Sequence, residues 1–330
     1  MNVAVVILNW NGKKLLQQFL PSAVKYSKEA TVYVADNAST DDSISFISEN
    51  FPTVKIIKNK SNGGYAKGYN DALRSLSEDI FVLVNSDVEV TENWLGPVLY
   101  EFKNDAKLVS AQPKILDFNN KDYFEYAGAA GGFIDKYGYP FCRGRIFDTL
   151  EKDEGQFDDV KEIFWATGAC LFIRKTAFQE VDGFDEDFFA HQEEIDLCWR
   201  LLSKGGTIKY VGASSVFHIG GATLGAANPK KTFYNFRNTL LVLIKNVQGS
   251  KLWLILFVRL LLDGIAGIQF LLQGKPIHML AIIKAHFSFY ALFYKMFKKR
   301  QLKTIYLDYN FVNSIVWDYF FLKKKTFRKL

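Results

Sequence analysis

Along the first hundred residues, short runs of β-branched and aliphatic side chains alternate with stretches whose apolar positions recur every three or four residues. The runs over residues 3–8, 31–35, 54–58 and 80–84 predict strands, and the amphipathic stretches over 13–26, 41–50 and 65–76 predict helices. Strand and helix alternating at this spacing build βαβ units with right-handed crossovers and a mostly parallel sheet covered on both faces. In open α/β sheets of this class, ligands bind outside the carboxyl ends of the strands. The polar residues ending the runs are therefore the first functional candidates: Asn9–Trp10–Asn11–Gly12, Asp36–Asn37–Ala38–Ser39 and Asn85–Ser86–Asp87.

Periodicity weakens over residues 117–161, which are rich in Gly, Asp, Lys and aromatics and read as an irregular insertion with room for a hairpin. A strand is predicted over 163–173, a helix from about residue 176, and a short strand over 207–211. Residues 252–272 and 277–297 are strongly apolar, yet the first carries Arg259, Asp263 and Gln269 and the second Lys284 and Lys295, so neither reads as a clean spanning helix. Basic clusters at 298–300 and 323–325 beside apolar and aromatic faces suit helices lying in the plane of an anionic membrane surface. The expected organisation is a catalytic domain over 1–246, with halves 1–113 and 114–246, and a helical membrane-associating region over 247–330.

Composition sharpens this picture in two places. With 330 residues, 49% of them hydrophobic, the chain can bury a large core, which excludes a disordered or fibrous protein. The net charge of +6 is divided: residues 228–330 hold 18 basic and 3 acidic side chains, or +15, leaving −9 for the rest. Two regions of opposite charge face different partners. Cys142, Cys170 and Cys198 are odd in number, form no C-x-x-C pair and fit a reducing compartment. No basic leader precedes the first apolar run, so the amino terminus is expected to stay cytosolic.

Several side chains carry candidate chemistry. Asp87 directly follows an apolar strand, where a carboxylate can hold a hard cation against a diphosphate, although the same residues also make an ordinary polar turn. Gly63 and Gly64 permit close backbone approach ahead of a helix amino terminus. On a helix Glu193 and Asp196 share a face while Glu194 points elsewhere; a first turn enriched in acids for the helix dipole is the competing explanation.

These motifs, in this order, resemble those of the family-2 glycosyltransferases with the GT-A fold, a Rossmann-like architecture, and in particular their rhamnosyltransferase-like branch of bacterial surface-polysaccharide synthesis. The resemblance covers roughly residues 3–246. It implies that Asn9 and Asp36 bind the donor nucleotide, and that Asn62, Gly63, Gly64 and Lys67 form the glycine-bearing loop beside the nucleotide sugar. Asn85–Ser86–Asp87 resembles the family's D-x-D position with Asn replacing the first Asp, which assigns a divalent Mn or Mg ion to Asp87 and a supporting donor role to Asn85 and Ser86. The segment from His191 to Arg200 resembles the family's acidic segment, making Glu194 the catalytic base and Glu193 and Asp196 its acceptor-side companions. His218 resembles the histidine that completes the metal shell. Trp165 and Gly168 resemble the strand flooring the acceptor site, and Arg237 a cation near the donor diphosphate; Trp165 equally suits a core position and Arg237 a surface one.

The implied activity is inverting transfer from a nucleotide sugar to a hydroxyl of a glycan or lipid-linked acceptor, at the cytoplasmic face of the inner membrane. A polyprenyl-phosphate glycosyltransferase and a non-catalytic membrane or nucleotide binder are the alternatives. A sugar-nucleotide pyrophosphorylase is disfavoured because residues 9–13 lack its glycine-rich loop with Arg and Lys. A nucleic-acid partner is not expected.

Overall fold

The computed structural model describes residues 1–220, 228–300 and 307–330. Four strands, β1 (Val3–Asn9), β2 (Thr31–Asp36), β3 (Lys55–Lys58) and β4 (Ile80–Asn85), lie parallel in the order β3-β2-β1-β4. They are joined by α1 (Lys13–Tyr26), α2 (Ser43–Asn50) and α3 (Gly64–Leu73), as the apolar pattern predicts. Their register matters for function: Asn9 pairs with Asp36, and Leu8 with Asn85. The polar ends of three strands therefore share one edge of the sheet.

The sheet is buried on both faces, so alternate side chains of each strand enter different cores. Val3, Val5, Ile7, Val82 and Val84 pack with Leu16, Leu20 and Ile47, whereas Ala4, Val6, Phe81 and Leu83 pack with Ala66, Tyr69 and Leu73.

Beyond β4 come β5 (Val88–Val90), α4 (Gly96–Asn104) and β6 (Leu108–Asp117). The region from 117 to 161 is more ordered than its composition predicts. It holds a small antiparallel sheet of β7 (Gly132–Ile134), β8 (Pro140–Cys142), β9 (Arg145–Ile146) and β10 (Thr149–Leu150). Its aromatic face is closed by distant partners, since Phe133 and Phe141 pack in tilted contacts against Phe311 and Phe327.

Of the single strand expected over 163–173 only the far end forms one, β12 (Cys170–Arg174), while a separate short strand, β11 (Val160–Glu162), precedes it. Residues between them are diverted to other partners, with Trp165 bridging Gly132 and the Gly168 carbonyl accepting from the Tyr65 hydroxyl. β12 runs antiparallel between β4 and β6. After α5 (Lys175–Glu180) and α6 (Glu193–Ser203), β13 (Thr207–His218) runs seven residues beyond the end expected for it. A bulge between Val211 and Ser215 lets it follow β6, and its far end pairs antiparallel with β5.

Three long helices follow, α7 (Pro229–Asn246), α8 (Lys251–Leu272) and α9 (Pro276–Lys298), before the final segment, residues 307–330. By length and composition, α8 and α9 are apolar enough to cross a membrane. Yet α9 is fastened to earlier parts of the chain at both ends. Thr232 and His278 meet at 2.7 Å, while Lys295 and Lys299 lie 2.6 Å from Asp187 and Asp185. On α8, Arg259 pairs with Asp263 at 2.7 Å and donates to the Tyr137 carbonyl. The opposite faces of the hairpin leave Trp253, Phe257, Leu280, Phe287 and Tyr294 exposed.

Candidate active site

The site begins at the strand ends. Asp36, 2% exposed, accepts from Asn9 Nδ2 through Oδ1 and from the Ser39 amide through Oδ2, both at 3.0 Å. Beside it, Asn37 donates to Asn62 Oδ1 at 2.9 Å and to the Gly64 carbonyl at 3.1 Å. Asn9, Asp36, Asn62 and Gly64 are thus brought together as one polar lining. Gly64 has φ +79°, and a Cβ there would lie 2.5 Å from the Phe189 carbonyl oxygen, so both backbone conformation and space require glycine. A Cβ on Gly63 would strike the Lys67 side chain. Lys67 itself is paired with Asp71 at 2.9 Å.

At the end of β4, the Asn85 amide donates to the Ala169 carbonyl, and Ser86 sits beside Gly12. Because β5 pairs with β13, with Val88 opposite His218, the histidine is carried against Asp87. Asp87 Oδ1 and His218 Nε2 are 3.2 Å apart and both residues are buried. On its other side His218 Nδ1 lies 3.4 Å from Glu125 Oε2. Burial opposes the imidazolium, but Asp87 and Glu125 prevail and push His218 up to about 10.

Asp87 and His218 fit one divalent ion that displaces the second imidazole proton, since only the neutral ring can act as a ligand. Two ligands about 2.1 Å from a common ion and at right angles lie roughly 3 Å apart, close to the observed separation. No group of three or more His, Cys, Asp or Glu poised for a metal occurs among the described residues. Such a pair suits Mg²⁺ or a similar ion that takes its remaining ligands from phosphate oxygens and water. Glu125, which sequence reasoning missed, stands where a carboxylate orients a ligating histidine through its second nitrogen.

The acidic segment enters through unusual backbone. Phe189, His191 and Gln192 have φ of 64°, 68° and 69°. Asn238 Nδ2 holds this loop through the carbonyls of Ala190 at 2.9 Å and His191 at 2.6 Å, while Arg237 Nη2 donates to those of Asp187 and Phe188. The sequence reading placed Arg237 at the donor diphosphate; its guanidinium is instead engaged with the loop that delivers the acids. Tyr65 joins three parts of the site, its amide donating to the Phe189 carbonyl at 2.9 Å and its hydroxyl to Gly168 at 2.7 Å.

Glu193 is 4% exposed and Glu194 is half-buried, and neither Oε2 has a hydrogen-bond partner. Burial pushes Glu194 up to about 7, and burial together with the charge of Glu194 raises Glu193 well above the ordinary carboxylate range. Asp196 differs. Arg200 and Lys245 both approach its Oδ2 at 2.8 Å and Asn246 donates to Oδ1 at 2.9 Å. Both oxygens are engaged inside the protein, as suits a structural carboxylate. Trp165 is buried too, its indole donating to the Phe133 carbonyl at 2.9 Å, the core alternative of the sequence reading.

The family model "Glycosyl transferase family 2" matches residues 4–182, and the chain belongs to that family. It is 25% identical over 229 residues to the N-acetylglucosaminyl-diphospho-decaprenol L-rhamnosyltransferase of Mycobacterium tuberculosis, across 65% of this chain and 75% of that one. Two solved structures share the fold. GalNAc-T7 with UDP, GalNAc and Mn2+ superposes with a TM-score of 0.59 at 17% identity, covering 74% of this chain but only 47% of its own. Mannosyltransferase PcManGT from Pyrobaculum calidifontis, in complex with GDP-Man and Mn2+, gives 0.54 at 14% identity, covering 88% and 87%. The architecture is the GT-A arrangement that the motif order implied, and the chain is a glycosyltransferase.

Proposed function

We propose that the chain transfers a sugar from a nucleotide-sugar donor to a hydroxyl of a lipid-linked glycan acceptor, with inversion, at a membrane surface. The observation that carries this reading is the convergence of Asp87 Oδ1 and His218 Nε2, 3.2 Å apart, on the sheet edge that also ends in Asn9 and Asp36. A divalent ion held by that pair would neutralise charge on the departing diphosphate. Asp36 and Asn62 orient the nucleotide. Glu194, a carboxyl without a hydrogen-bond partner on Oε2 and with a pKa near the working pH, takes the proton of the acceptor hydroxyl. One displacement from the face opposite the leaving group inverts the anomeric centre.

The relative whose name specifies a diphospho-decaprenol acceptor supports a lipid-linked substrate. The Mn2+ in both structural neighbours supports the divalent ion. The exposed apolar faces of α8 and α9, together with the exposed Lys275, Lys284 and Lys298, support docking on anionic lipid at the cytoplasmic face. The test is incubation with a panel of nucleotide sugars, Mn2+ and a polyprenyl-diphosphate sugar acceptor. Donor consumption that requires Mn2+ and vanishes in Asp87→Ala is expected; wild-type rates in chelator would overturn the metal assignment.

A further inference from the structure

Beyond Glu125 lie two cations for which the site described so far has no use. Arg145 is only 7% exposed, yet no carboxylate lies within ion-pair reach of it or of Lys231 among the described residues. Both face the ring of Tyr126, Arg145 Cζ at 4.4 Å and Lys231 Nζ at 5.4 Å from its centroid. The protein fixes one edge of the guanidinium, with Nε donating to the Tyr126 carbonyl at 2.9 Å and Nη2 reaching Cys142 Sγ at 3.7 Å. Tyr126 itself is 44% exposed, so the cluster opens to solvent.

The carboxylate whose charge reaches both cations is Glu125, acting from beyond ion-pair distance and already shared with His218. One negative charge therefore faces three basic groups, and a further anion would be favoured. Burial holds the Lys231 ammonium below its ordinary value, with Glu125 opposing and Arg145 adding to the effect. The neighbourhood identifies the missing partner. Glu125 adjoins Tyr126 in sequence and contacts His218, which contacts Asp87, so the cations continue the line of the candidate metal pair. A planar guanidinium with a free edge beside a mobile ammonium is a phosphate-recognition set.

We propose that Arg145 and Lys231 form an anion subsite that binds the diphosphate ester of a substrate, the role that the sequence reading gave to Arg237. This deepens the transfer reading and rests on it. The diphosphate belongs either to the nucleotide-sugar donor or to the lipid-linked acceptor, and binding measurements separate the two.

Lys231→Gln and Arg145→Gln are compared with wild type for binding of inorganic pyrophosphate, of UDP, GDP and dTDP, and of the matching nucleoside monophosphates, all at fixed Mn2+. A roughly tenfold or greater loss for the diphosphates with monophosphate binding retained assigns the donor. Unchanged nucleotide affinity with a similar rise in KM for a polyprenyl-diphosphate acceptor assigns the acceptor. Lys231 is only half-buried, so its variant carries the test should Arg145→Gln fail to fold. If wild type binds no nucleotide, the transfer reading fails, while pyrophosphate binding weakened by Lys231→Gln would still support the subsite. Diphosphate affinity and acceptor KM both unchanged in Lys231→Gln would overturn the proposal.

Discussion

The side-chain amide of Asn238 donates to the carbonyl of His191 at 2.6 Å, tying α7 to the strained turn that precedes the acid pair. Left-handed backbone at non-glycine residues persists only where its surroundings enforce it, and it gathers at functional sites. Asn238→Ala removes the tie without touching a carboxylate. The expected result is a fall in kcat of roughly ten- to a hundredfold, the size of effect that follows from a small misplacement of a catalytic group. Nucleotide affinity should be unchanged, as titration calorimetry would show; a parallel loss of nucleotide binding would mean that the turn also shapes the donor site.

Asp196 and Glu194 separate by the kind of damage their loss does. Asp196→Ala leaves Arg200 and Lys245 buried with one acceptor fewer, a change that typically costs about 3–5 kcal/mol. Its Tm should drop sharply. Glu194→Gln removes a carboxyl oxygen that has no partner and whose charge burial opposes, so its Tm should not fall below wild type. Thermal unfolding of both proteins checks this, and equal melting temperatures would contradict the structural role of Asp196.

The acid limb of the rate profile should belong to Glu194. Burial places its carboxyl at about 7, above the ordinary 4.5, so the proton-accepting form is lost as pH falls through about 7. The same raised value favours the folded state while the group is protonated in both states, below about 4.5, and that contribution is lost as pH rises through about 7. Turnover measured from pH 5 to 9 should rise toward a plateau above 7 in wild type, and Glu194→Gln should lack the limb. A limb that persists in the variant would move the titration to another group.

Membrane docking predicts its own variants. Leu280 and Phe287 lie two turns apart on the exposed face of α9. Burying a large apolar side chain is worth about 2 kcal/mol, so Leu280→Glu with Phe287→Glu should weaken binding to anionic vesicles by at least about a hundredfold. Nucleotide affinity should remain. Cosedimentation that is equal for the two proteins would assign the apolar face to another partner.

What could be read from the sequence divides along physical lines. The alternation in β1 to β4 is visible because each strand buries its own residues locally, and the polar residues that stop each run then share one edge of the sheet. The order of the small sheet at 132–150 could not be read there, since its aromatic face is completed by Phe311 and Phe327, far along the chain. Helical periodicity placed Glu193 and Asp196 on one face, but the partner that locks Asp196 is Lys245, 49 residues away. Arg237 has the charge a diphosphate needs, and only the path of the loop at 187–191 reveals that the guanidinium is engaged there. The same limit applies to the last 80 residues. Their basic and apolar character is plain from composition, but the pairs Lys295–Asp187 and Lys299–Asp185 bind them to the acid loop.

The central claim, that Glu194 is the base of a nucleotide-sugar-dependent transfer, is tested most directly by the single-turnover rate to a polyprenyl-diphosphate sugar acceptor, with Glu194→Gln, Glu193→Gln and Asp196→Asn measured beside wild type. A general base contributes ~10²–10⁴-fold, so Glu194→Gln should be slower by about that factor with donor affinity barely changed. Transfer by Glu194→Gln at the wild-type rate would contradict the account.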